Sequence, residues 1–317
     1  MTKIKRTLQP YAEDKKIYFG FGNSSLTREI ADTPRNRFLL LSNNLERDAR
    51  AEELEKFKSM GLVTDNEYTD TRYSRNINFF EWIDESRNIS PSKYQQRLFD
   101  SSVLIVGIGG IGGTIAESLT RLGVGKITLV DFDVVDESNL TRQTVYGTSD
   151  IKLPKIESAL RYLESIGNTK ISILNKKIIS EADLEEIYQN GDFDLAICGA
   201  DTPQEIDYWF DDLSEQNRIP FIAGSYASTV INYACIIPGT TLNLRTFYAE
   251  NRITDDHLIP DEIKTSVIAP VTLMAAGLIS YKVFAMLTGL NNDWNCIQID
   301  ILTWRVEKYD INRSASA

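Results

Sequence analysis

The feature that most constrains this chain is a short hydrophobic run that ends in a glycine-rich turn. Residues 103–106 read Val-Leu-Ile-Val, and they are followed by Gly107, Gly109, Gly110 and Gly112 at the start of an amphipathic segment. A strand, turn and helix of this kind bring backbone N–H groups and the positive end of a helix dipole to one point, where a phosphate can bind. The pattern predicts a nucleotide site and leaves the nucleotide open.

A carboxylate stands at a suitable distance from this turn. Asp131 ends the next hydrophobic segment, 24 residues after Gly107. In Rossmann-like folds a carboxylate at this place accepts hydrogen bonds from ribose hydroxyls. The competing interpretation is a glycine turn that only joins a strand to a helix, and the register of strand, helix and acid argues against it. Both NAD and ATP fit the pattern up to this point.

Strand and helix patterns alternate beyond residue 101. Strands are predicted at residues 103–106, 126–131, 171–174, 194–198, 219–223 and 233–237, and helices at 114–122, 155–166 and 204–216. This alternation predicts an α/β, Rossmann-like domain with a mainly parallel sheet and right-handed crossovers. The apolar stretch at 267–287 contains Pro270 and Lys282, and we interpret it as a buried helix rather than a membrane span.

The first 72 residues differ from the remainder in charge. Residues 1–72 carry a net charge of +1 and residues 73–317 carry −12. We therefore expect two domains, 1–72 and 73–317. A strand pattern at 17–21 and helical patterns around Leu41 and at 51–60 predict a small winged-helix-like domain in the first of them.

Composition excludes several classes of function. The net charge of −11 and the pI of about 4.8 argue against binding to nucleic acid or to an anionic membrane. The chain has one histidine, His257, and three widely spaced cysteines, Cys198, Cys235 and Cys296. We expect a reducing, cytoplasmic location, no disulfide framework and no zinc knuckle. Chemistry must then depend on Asp, Glu, Lys, Arg and backbone amides.

The segment that begins at Asp131 favours ATP over NAD as the nucleotide, because an NAD-dependent dehydrogenase has no need of its residues. It contains, in order, Asp131-Phe-Asp133, Ser138-Asn139-Leu-Thr-Arg142-Gln143, Pro154-Lys155 and Gly199-Ala-Asp201. Together with the glycine turn, these motifs resemble the ThiF/MoeB/E1-like adenylating family over roughly residues 72–290.

The resemblance implies a role for each matching residue. ATP would be bound by Gly107, Gly109, Gly110, Gly112, Asp131, Asp133, Asn139, Arg142, Gln143 and Lys155, with Asp131 on the ribose and Gln143 supporting the phosphate loop. Asp201 would hold Mg²⁺, and Arg142 and Lys155 would stabilise charge at the α-phosphate. Taken singly, each of these side chains could be an ordinary surface or turn residue.

An arginine segment precedes the nucleotide domain. In the family, an arginine in such a segment reaches the ATP site of the partner subunit, and Arg75 in Arg72-Tyr-Ser-Arg75 is the matching residue. The resemblance therefore implies a homodimer. A plain linker arginine is the competing interpretation, and Asn76 stands where the family usually has glutamine.

Of two later segments, the first departs from the family pattern and the second matches it. Residues 238–245 lack the paired cysteines that hold zinc in many members, so we expect no zinc. Residues 250–266 resemble the family's crossover loop, which we expect to be a mobile lid. His257 lies in that segment, and we expect it to be a solvated residue outside the active site.

Seventy additional N-terminal residues favour one branch of the family. The chain resembles the enzymes that mature microcin C7 and pantocin A, in which the small N-terminal domain is a peptide clamp. Because it lacks zinc ligands, it resembles the pantocin type more closely. We expect the leader of a precursor peptide to pair with the edge of the strand at 17–21. Binding of DNA is disfavoured, because the helix at 51–60 begins with three carboxylates.

The expected reaction is ATP-dependent adenylation of a carboxylate on a ribosomally made precursor peptide. A Glu side chain would be activated during maturation of a peptide antibiotic and captured within the same peptide. The alternatives are adenylation of the C-terminus of a ubiquitin-like or sulfur-carrier protein, a non-catalytic peptide- or DNA-binding regulator, and a dehydrogenase. Titration with NADH against ATP–Mg²⁺ separates the last of these.

Overall fold

The computed structural model describes residues 1–21, 27–84, 90–251, 266–290 and 294–313. The chain forms two compact units, residues 1–97 and residues 98–317. Helix α5, Pro91–Asp100, contains the division between them. The assignment of different functions to residues 1–72 and 73–317 stays a prediction.

The first unit is built from short elements. In chain order these are β1 Lys3–Ile4, β2 Tyr11–Glu13, β3 Lys16–Phe19, β4 Arg28–Ala31, α1 Pro34–Leu41, α2 Leu45–Asp48, α3 Ala51–Ser59, β5 Val63–Thr64 and α4 Ser74–Ile83. β1 pairs with β5, and β2, β3 and β4 form an antiparallel sheet in that order. The predicted strand and helices are found here, and the winged-helix-like assignment stays a prediction.

One expectation about this sheet is wrong. The strand predicted at 17–21 is β3, which lies between β2 and β4 and pairs with both. Its backbone N–H and C=O groups are used on both sides, so an incoming peptide strand cannot pair with it. The outer strands of this sheet are β2 and β4.

A buried carboxylate holds the first unit together. Glu81 on α4 is 0% exposed, and its Oε1 accepts hydrogen bonds from the Thr7 hydroxyl and the Tyr68 hydroxyl, both at 2.7 Å. Its Oε2 accepts from the Thr64 hydroxyl at 2.8 Å. The buried Lys5 ammonium donates to the backbone carbonyl of Glu81 at 3.2 Å. Glu81 thus joins the β1 and β5 region to the helix that carries Arg75.

The second unit contains an eight-stranded sheet. Its strands are β6 Ser102–Val106, β7 Lys126–Asp131, β8 Lys170–Asn175, β9 Leu195–Cys198, β10 Phe221–Ala227, β11 Val230–Ile236, β12 Cys296–Asp300 and β13 Arg305–Tyr309. The order is β13-β12-β11-β10-β9-β6-β7-β8, parallel from β10 to β8 and antiparallel from β10 to β13. The predicted α/β fold with a mainly parallel sheet is confirmed.

The helices of this unit cover the sheet in two groups. They are α6 Gly110–Leu122, α7 Lys155–Ile166, α8 Glu181–Asn190, α9 Ile206–Asn217, α10 Leu244–Asn251 and α11 Ala269–Thr288. α6 contacts α7 and α11, whereas α9 contacts α8 and α10. Leu104 and Val106, alternate residues of β6, belong to the core beneath α8 and α9.

Helix α11 is the predicted buried apolar helix. Its 20 residues have a mean hydropathy of 1.6 over the most apolar window, which is enough by length and composition to cross a membrane. In the folded chain 61% of that window is buried, and the helix packs on α6, β10 and β11. Its apolarity is therefore that of a helix inside the protein.

Removal of the Glu81 carboxylate should loosen the first unit. In the variant Glu81→Ala, the hydroxyls of Thr7, Thr64 and Tyr68 lose their acceptor, so the local free energy of unfolding should fall by about 3 kcal/mol. Hydrogen–deuterium exchange of peptides from residues 1–84 measures this quantity. As a control, Glu46→Ala removes an exposed carboxylate that accepts from the Thr2 hydroxyl at 2.7 Å, and it should change the value by less than about 0.5 kcal/mol. Equal protection in both variants contradicts the prediction.

Candidate nucleotide-binding active site

The glycine turn packs backbone against backbone. Gly107 has φ +86°, and a Cβ there would lie 2.6 Å from the backbone nitrogen of Ala200. A Cβ on Gly112 would lie 1.9 Å from the Gly107 carbonyl oxygen. Since neither contact is possible for a larger residue, Gly107 allows the turn to lie directly against the end of β9, and Gly112 allows the start of α6 to pack against the turn.

Neighbouring strands fix this turn by hydrogen bonds. The Gly107 N–H donates to the Val130 carbonyl, and the Gly199 N–H donates to the Val106 carbonyl, both at 2.8 Å. After β6 the chain adds β7 and β8 on one side of it, and β9 and β10 lie on the other. The turn therefore lies at the point where the strand order reverses, which is where open α/β sheets bind their ligands.

Asp131 connects the turn to the next loop. Its Oδ2 accepts from the Ile108 N–H at 2.7 Å, and its Oδ1 accepts from the Asp133 N–H at 2.8 Å. The residue is 8% exposed and lines the cavity described next. Because each carboxylate oxygen has a second lone pair, Asp131 can also accept hydrogen bonds from a ribose.

Most of the predicted site residues line one cavity of about 800 Å³. These are Gly107, Gly109, Gly110, Asp131, Asp133, Asn139, Arg142, Gln143, Lys155 and Asp201. Gly112 lies one position further into α6 and supports the turn from behind. Arg75 belongs to the first unit, where it is exposed at the second position of α4.

Of the three cationic residues that line the cavity, Lys155 and Arg142 belong to the family motifs, and Lys176 is paired with Asp183 and Glu186. Lys155 begins α7, its side chain is 8% exposed, and its Nζ lies 2.9 Å from Asp133 Oδ2. Arg142 follows a 3₁₀ turn at Glu137–Thr141 and donates from Nη1 to the Ser138 carbonyl at 3.1 Å. Asn139 stabilises the same turn, because its Oδ1 accepts from the Asp136 N–H at 3.0 Å. The N-terminus of α7 adds a partial positive charge beside Lys155.

Two buried polar atoms in this cavity have no hydrogen-bond partner within the described ranges. They are Arg142 Nε and Gln143 Oε1. A buried guanidinium N–H without an acceptor costs free energy, and such atoms in native structures indicate a missing ligand or water. An anionic ligand in the cavity supplies the acceptor that Arg142 Nε lacks, so Arg142 fits a nucleotide phosphate, whereas Gln143 Oε1 is itself an acceptor and needs a donor.

Asp201 follows the end of β9 and is exposed to the cavity. Its Oδ1 accepts from the Thr202 hydroxyl at 3.3 Å. Among the described residues, no group of three or more His, Cys, Asp or Glu side chains is placed to hold a metal. A single carboxylate fits Mg²⁺, which is usually held by one or two carboxylates together with substrate phosphates and water.

The cysteines are neutral in this environment. Burial, with the neighbouring Asp207 as a second cause, raises the pKa of Cys198 well above its usual value. Burial likewise raises the pKa of Cys235 to about 12 and that of Cys296 to about 12. A thiol with a raised pKa is a poor nucleophile near neutral pH. His257 lies outside the described residues, as do residues 252–265 of the expected crossover loop.

Sequence reasoning missed part of the cavity wall. The residues concerned are Phe132, Lys176, Ile178, Gln204, Asp207, Ser225, Tyr226 and Asn232. The strand predicted at 219–223 ends too early, because β10 continues to Ala227, and the strand predicted at 233–237 begins too late, because β11 starts at Val230. Residues 225–232 read Ser-Tyr-Ala-Ser-Thr-Val-Ile-Asn, in which polar and apolar residues do not alternate regularly, so no period-two signal marks this part of the wall.

A comparison with protein families identifies the family to which most of the chain belongs. The model of the ThiF family matches residues 73–316. The chain belongs to the ThiF family. This confirms the family resemblance inferred from the motifs around the glycine turn.

Curated relatives match the chain over limited segments. The molybdopterin-synthase adenylyltransferase of Haemophilus influenzae is 37% identical over 132 residues, which cover 41% of this chain and 53% of that protein. The adenylyltransferase and sulfurtransferase UBA4 of Meyerozyma guilliermondii is 35% identical over 145 residues, which cover 44% of this chain and 33% of that protein. The chain therefore spans about half, or less, of the length of these relatives.

Solved structures match it over nearly its whole length. Escherichia coli MccB with ATP superposes with a TM-score of 0.82 at 20% identity, covering 99% of this chain and 98% of MccB. PaaA superposes with a TM-score of 0.78 at 22% identity, covering 98% of this chain and 100% of PaaA. At this level of identity the likeness establishes a shared fold.

Substitution of Asp131 should weaken nucleotide binding. In Asp131→Asn, an amide NH₂ replaces one of the two oxygens that accept from Ile108 and Asp133, so two donors face each other and the turn loosens. The dissociation constant for ATP–Mg²⁺, measured by calorimetry, should rise roughly tenfold or more. The control Asp192→Asn removes an exposed carboxylate away from the cavity lining and should leave the constant unchanged. Wild-type affinity in Asp131→Asn contradicts this role.

Proposed function

We propose that the protein uses ATP to adenylate a carboxylate of a ribosomally made precursor peptide, which then captures the acyl-AMP within the same molecule. The observation that carries the proposal is the single cavity that brings together the glycine turn, Arg142, Lys155 and Asp201. The buried Nε of Arg142, which has no acceptor among the described residues, supports an anionic ligand there. ATP is the substrate that matches both the family and the charge of the site.

The reaction needs positioning and charge stabilisation rather than an acid–base pair. A carboxylate oxygen of the peptide attacks the α-phosphorus, an O–P bond forms, and the P–O bond to pyrophosphate breaks. Negative charge gathers on the phosphate oxygens, and Arg142 and Lys155 are placed to stabilise it. Lys155 is held ready by Asp133 at 2.9 Å, which also keeps its charge compensated before the nucleotide binds.

Mg²⁺ fits beside Asp201, where it would neutralise charge on the phosphates and the departing pyrophosphate. The protein's own contribution there is the carboxylate at the end of β9, oriented by the Thr202 hydroxyl at 3.3 Å. The Gly199 N–H, two residues before Asp201, donates to the Val106 carbonyl and so joins the start of this segment to the strand that leads into the phosphate loop.

A peptide substrate is favoured because the structural similarity to MccB covers nearly the whole chain. MccB superposes over 99% of this chain, including the N-terminal region, and a structure of MccB holds N-formylated MccA. The curated carrier-activating relatives match only 41% and 44% of the chain. We infer that residues 1–72 are a peptide clamp that binds the leader, with 73–317 as the adenylating domain. Since β3 is paired on both sides, the leader pairs with an outer strand, β2 or β4.

We also propose that the protein is a homodimer in which Arg75 reaches the ATP site of the partner subunit. We place it in the reducing cytoplasm, where its three cysteines stay free thiols. Arg75 forms no hydrogen bond or ion pair among the described residues, and it lies at the exposed start of α4. An exposed arginine of this kind is available to another subunit.

Activation of a ubiquitin-like or sulfur-carrier protein is the second candidate function. It is favoured by the names of the curated relatives, a molybdopterin-synthase adenylyltransferase and UBA4. If this candidate is correct, the activated carboxylate is the C-terminus of the carrier protein, and the first unit has a function other than binding a leader peptide. A non-catalytic regulator is disfavoured, because Arg142, Lys155 and Asp201 all line the cavity.

Pyrophosphate exchange tests the activity. Exchange of labelled pyrophosphate into ATP should depend on a leader-bearing precursor peptide, and Asp201→Ala should abolish it. Arg142→Ala should lower it by about 10²-fold, because it removes charge stabilisation at the α-phosphate. The matched control Arg121→Ala removes an exposed arginine paired with Glu117 on α6 and should exchange as wild type does.

The same assay separates the two candidates. Stimulation by a carrier protein ending in diglycine, with none by leader-bearing peptides, replaces the first candidate with the second. Exchange that persists in Asp201→Ala removes the metal assignment.

Mixed dimers test Arg75. Arg75→Ala and Asp201→Ala should each be inactive alone, since each lacks one part of every site. After subunit exchange at equal concentrations, half of the dimers contain one intact site, so about a quarter of wild-type exchange should return. An arginine that acts within its own subunit gives no recovery, and the mixture stays inactive.

A further inference from the structure

The nucleotide cavity has an apolar part on the side of the sheet that faces α8 and α9. Val106 pairs in register with Val130 on β7 and with Cys198 on β9, so these three residues form one row across adjacent parallel strands. All three line the cavity and belong to the core cluster beneath α8 and α9, so their side chains lie on the same face of the sheet. We call this row the apolar floor. Two strand spacings give it a length of about 10 Å, which is comparable to that of a nucleoside.

Two isoleucines border the apolar floor. Ile178 lies three residues after β8, and Ile206 is the first residue of α9. Both line the cavity and belong to the same core cluster. A planar aromatic ring can bury its faces against such side chains, whereas a phosphate or a ribose would lose hydrogen bonds to water there. The base is therefore the part of a nucleotide that suits the apolar floor.

A carboxylate lies at each end of the apolar floor. Asp131, which can accept hydrogen bonds from a ribose, directly follows Val130 at one end. At the other end, Cys198 forms a hydrogen bond with Asp207 in the first turn of α9. Asp207 is partly buried and lines the cavity. A nucleoside with its ribose at Asp131 and its base along the floor thus has the far edge of the base beside Asp207.

The Cys198 thiol orients the Asp207 carboxylate without using up its capacity to accept. The thiol is nearly buried, and its two acceptors are the Asp207 carboxylate and the Ala200 carbonyl, which lies 3.6 Å from Sγ. A thiol is a weak donor with one hydrogen, whereas a carboxylate has about four lone pairs. Asp207 can therefore accept a further hydrogen bond from a ligand.

A carboxylate in this place distinguishes one purine from another. The 6-position of adenine carries an amino group, which donates, and the same position of guanine carries a carbonyl oxygen, which accepts. Asp207 can accept from the amino group, whereas its negative charge repels the carbonyl oxygen. Hydrogen bonds to an ionised acceptor are stronger than those between neutral groups, and a cavity with little water strengthens them further.

We propose that Asp207 accepts a hydrogen bond from the 6-amino group of an adenine that lies on the apolar floor, and that this bond makes the site select ATP over GTP. The proposal rests on the ATP-dependent function argued above and deepens it, because the motif residues are assigned to the ribose, the phosphates and Mg²⁺. Arg142 and Lys155 act on phosphates, which ATP and GTP share. Selection of the base must therefore come from another part of the cavity.

A purely structural role for Asp207 makes a different prediction. A carboxylate in the first turn of a helix stabilises the helix through its dipole, and Asp207 has this position on α9. Loss of that role lowers the melting temperature and weakens the binding of every nucleotide equally. Loss of a bond to the 6-amino group weakens only the binding of a nucleotide that carries this group.

The experiment combines one change in the protein with one change in the ligand. Calorimetry with the full chain and Mg²⁺ compares ATP with purine riboside triphosphate, which is ATP without the 6-amino group. Wild-type protein should bind ATP about tenfold more tightly than the analogue, and Asp207→Ala should bind the two within about twofold of each other. GTP should bind to wild-type protein roughly 10²-fold more weakly than ATP, because it loses the bond and meets a repulsion.

A matched control lies on the same helix. Asp212→Ala removes a carboxylate of α9 that pairs with Arg245 outside the cavity lining, and it should keep the wild-type ratio of the two affinities. A wild-type ratio that persists in Asp207→Ala overturns the proposal, because another group then binds the amine. Equal weakening of both nucleotides with a lower melting temperature also overturns it, in favour of the structural role. GTP that binds to wild-type protein as tightly as ATP overturns the selectivity.

Failure of this proposal and failure of the proposed function are distinguishable. A wild-type protein that binds neither ATP nor the analogue overturns the ATP-dependent function. A wild-type protein that exchanges pyrophosphate but binds ATP and the analogue equally overturns only the role of Asp207. If Asp207→Ala does not fold, Asp207→Asn decides by the same ratio, which should fall about threefold or more because the acceptor loses its charge. An unchanged ratio in that variant overturns the proposal.

Discussion

The architecture of the second unit depends on one close approach of backbone to backbone. The turn after β6 rests on the end of β9 because Gly107 has no side chain, and Asp131 holds the turn by accepting a hydrogen bond of 2.7 Å from the Ile108 N–H. Any Cβ at Gly112 would overlap the Gly107 carbonyl. This packing places the N-terminus of α6, Asp131 and Asp201 around the same space, and the remaining residues of the site are arranged about it.

The distribution of charge follows from this arrangement. The chain carries a net charge of −11, so its overall field repels nucleotides and acidic partners alike. Attraction for a triphosphate must therefore be local, and Arg142, Lys155 and two helix N-termini provide it inside a cavity. Asp133 compensates Lys155 at 2.9 Å, which lowers the cost of holding a nearly buried ammonium before the ligand arrives.

Family and structure answer different questions about this chain. Membership of the ThiF family accounts for the nucleotide half of the cavity over residues 73–316. The likeness to MccB and PaaA extends to the first unit, where the buried Glu81 connects the short strands to the helix bearing Arg75. Because the family match begins at residue 73, the substrate class that we propose depends on the first unit rather than on the glycine turn.

The sequence by itself determined the α/β class and most strands and helices between residues 102 and 237, although it did not predict helix α8, Glu181–Asn190, and through the family resemblance it determined ten of the residues that line the cavity. It did so because the strand–glycine–helix pattern and the order of the motifs are local signals that survive without knowledge of packing. Only the tertiary structure decided that β3 is central, that Ser225, Tyr226 and Asn232 line the cavity, and that Arg142 Nε and Gln143 Oε1 have no hydrogen-bond partner among the described residues. Each of these is set by which distant segments become neighbours, and the pairing of strands and the closing of a cavity depend on contacts that no local pattern specifies.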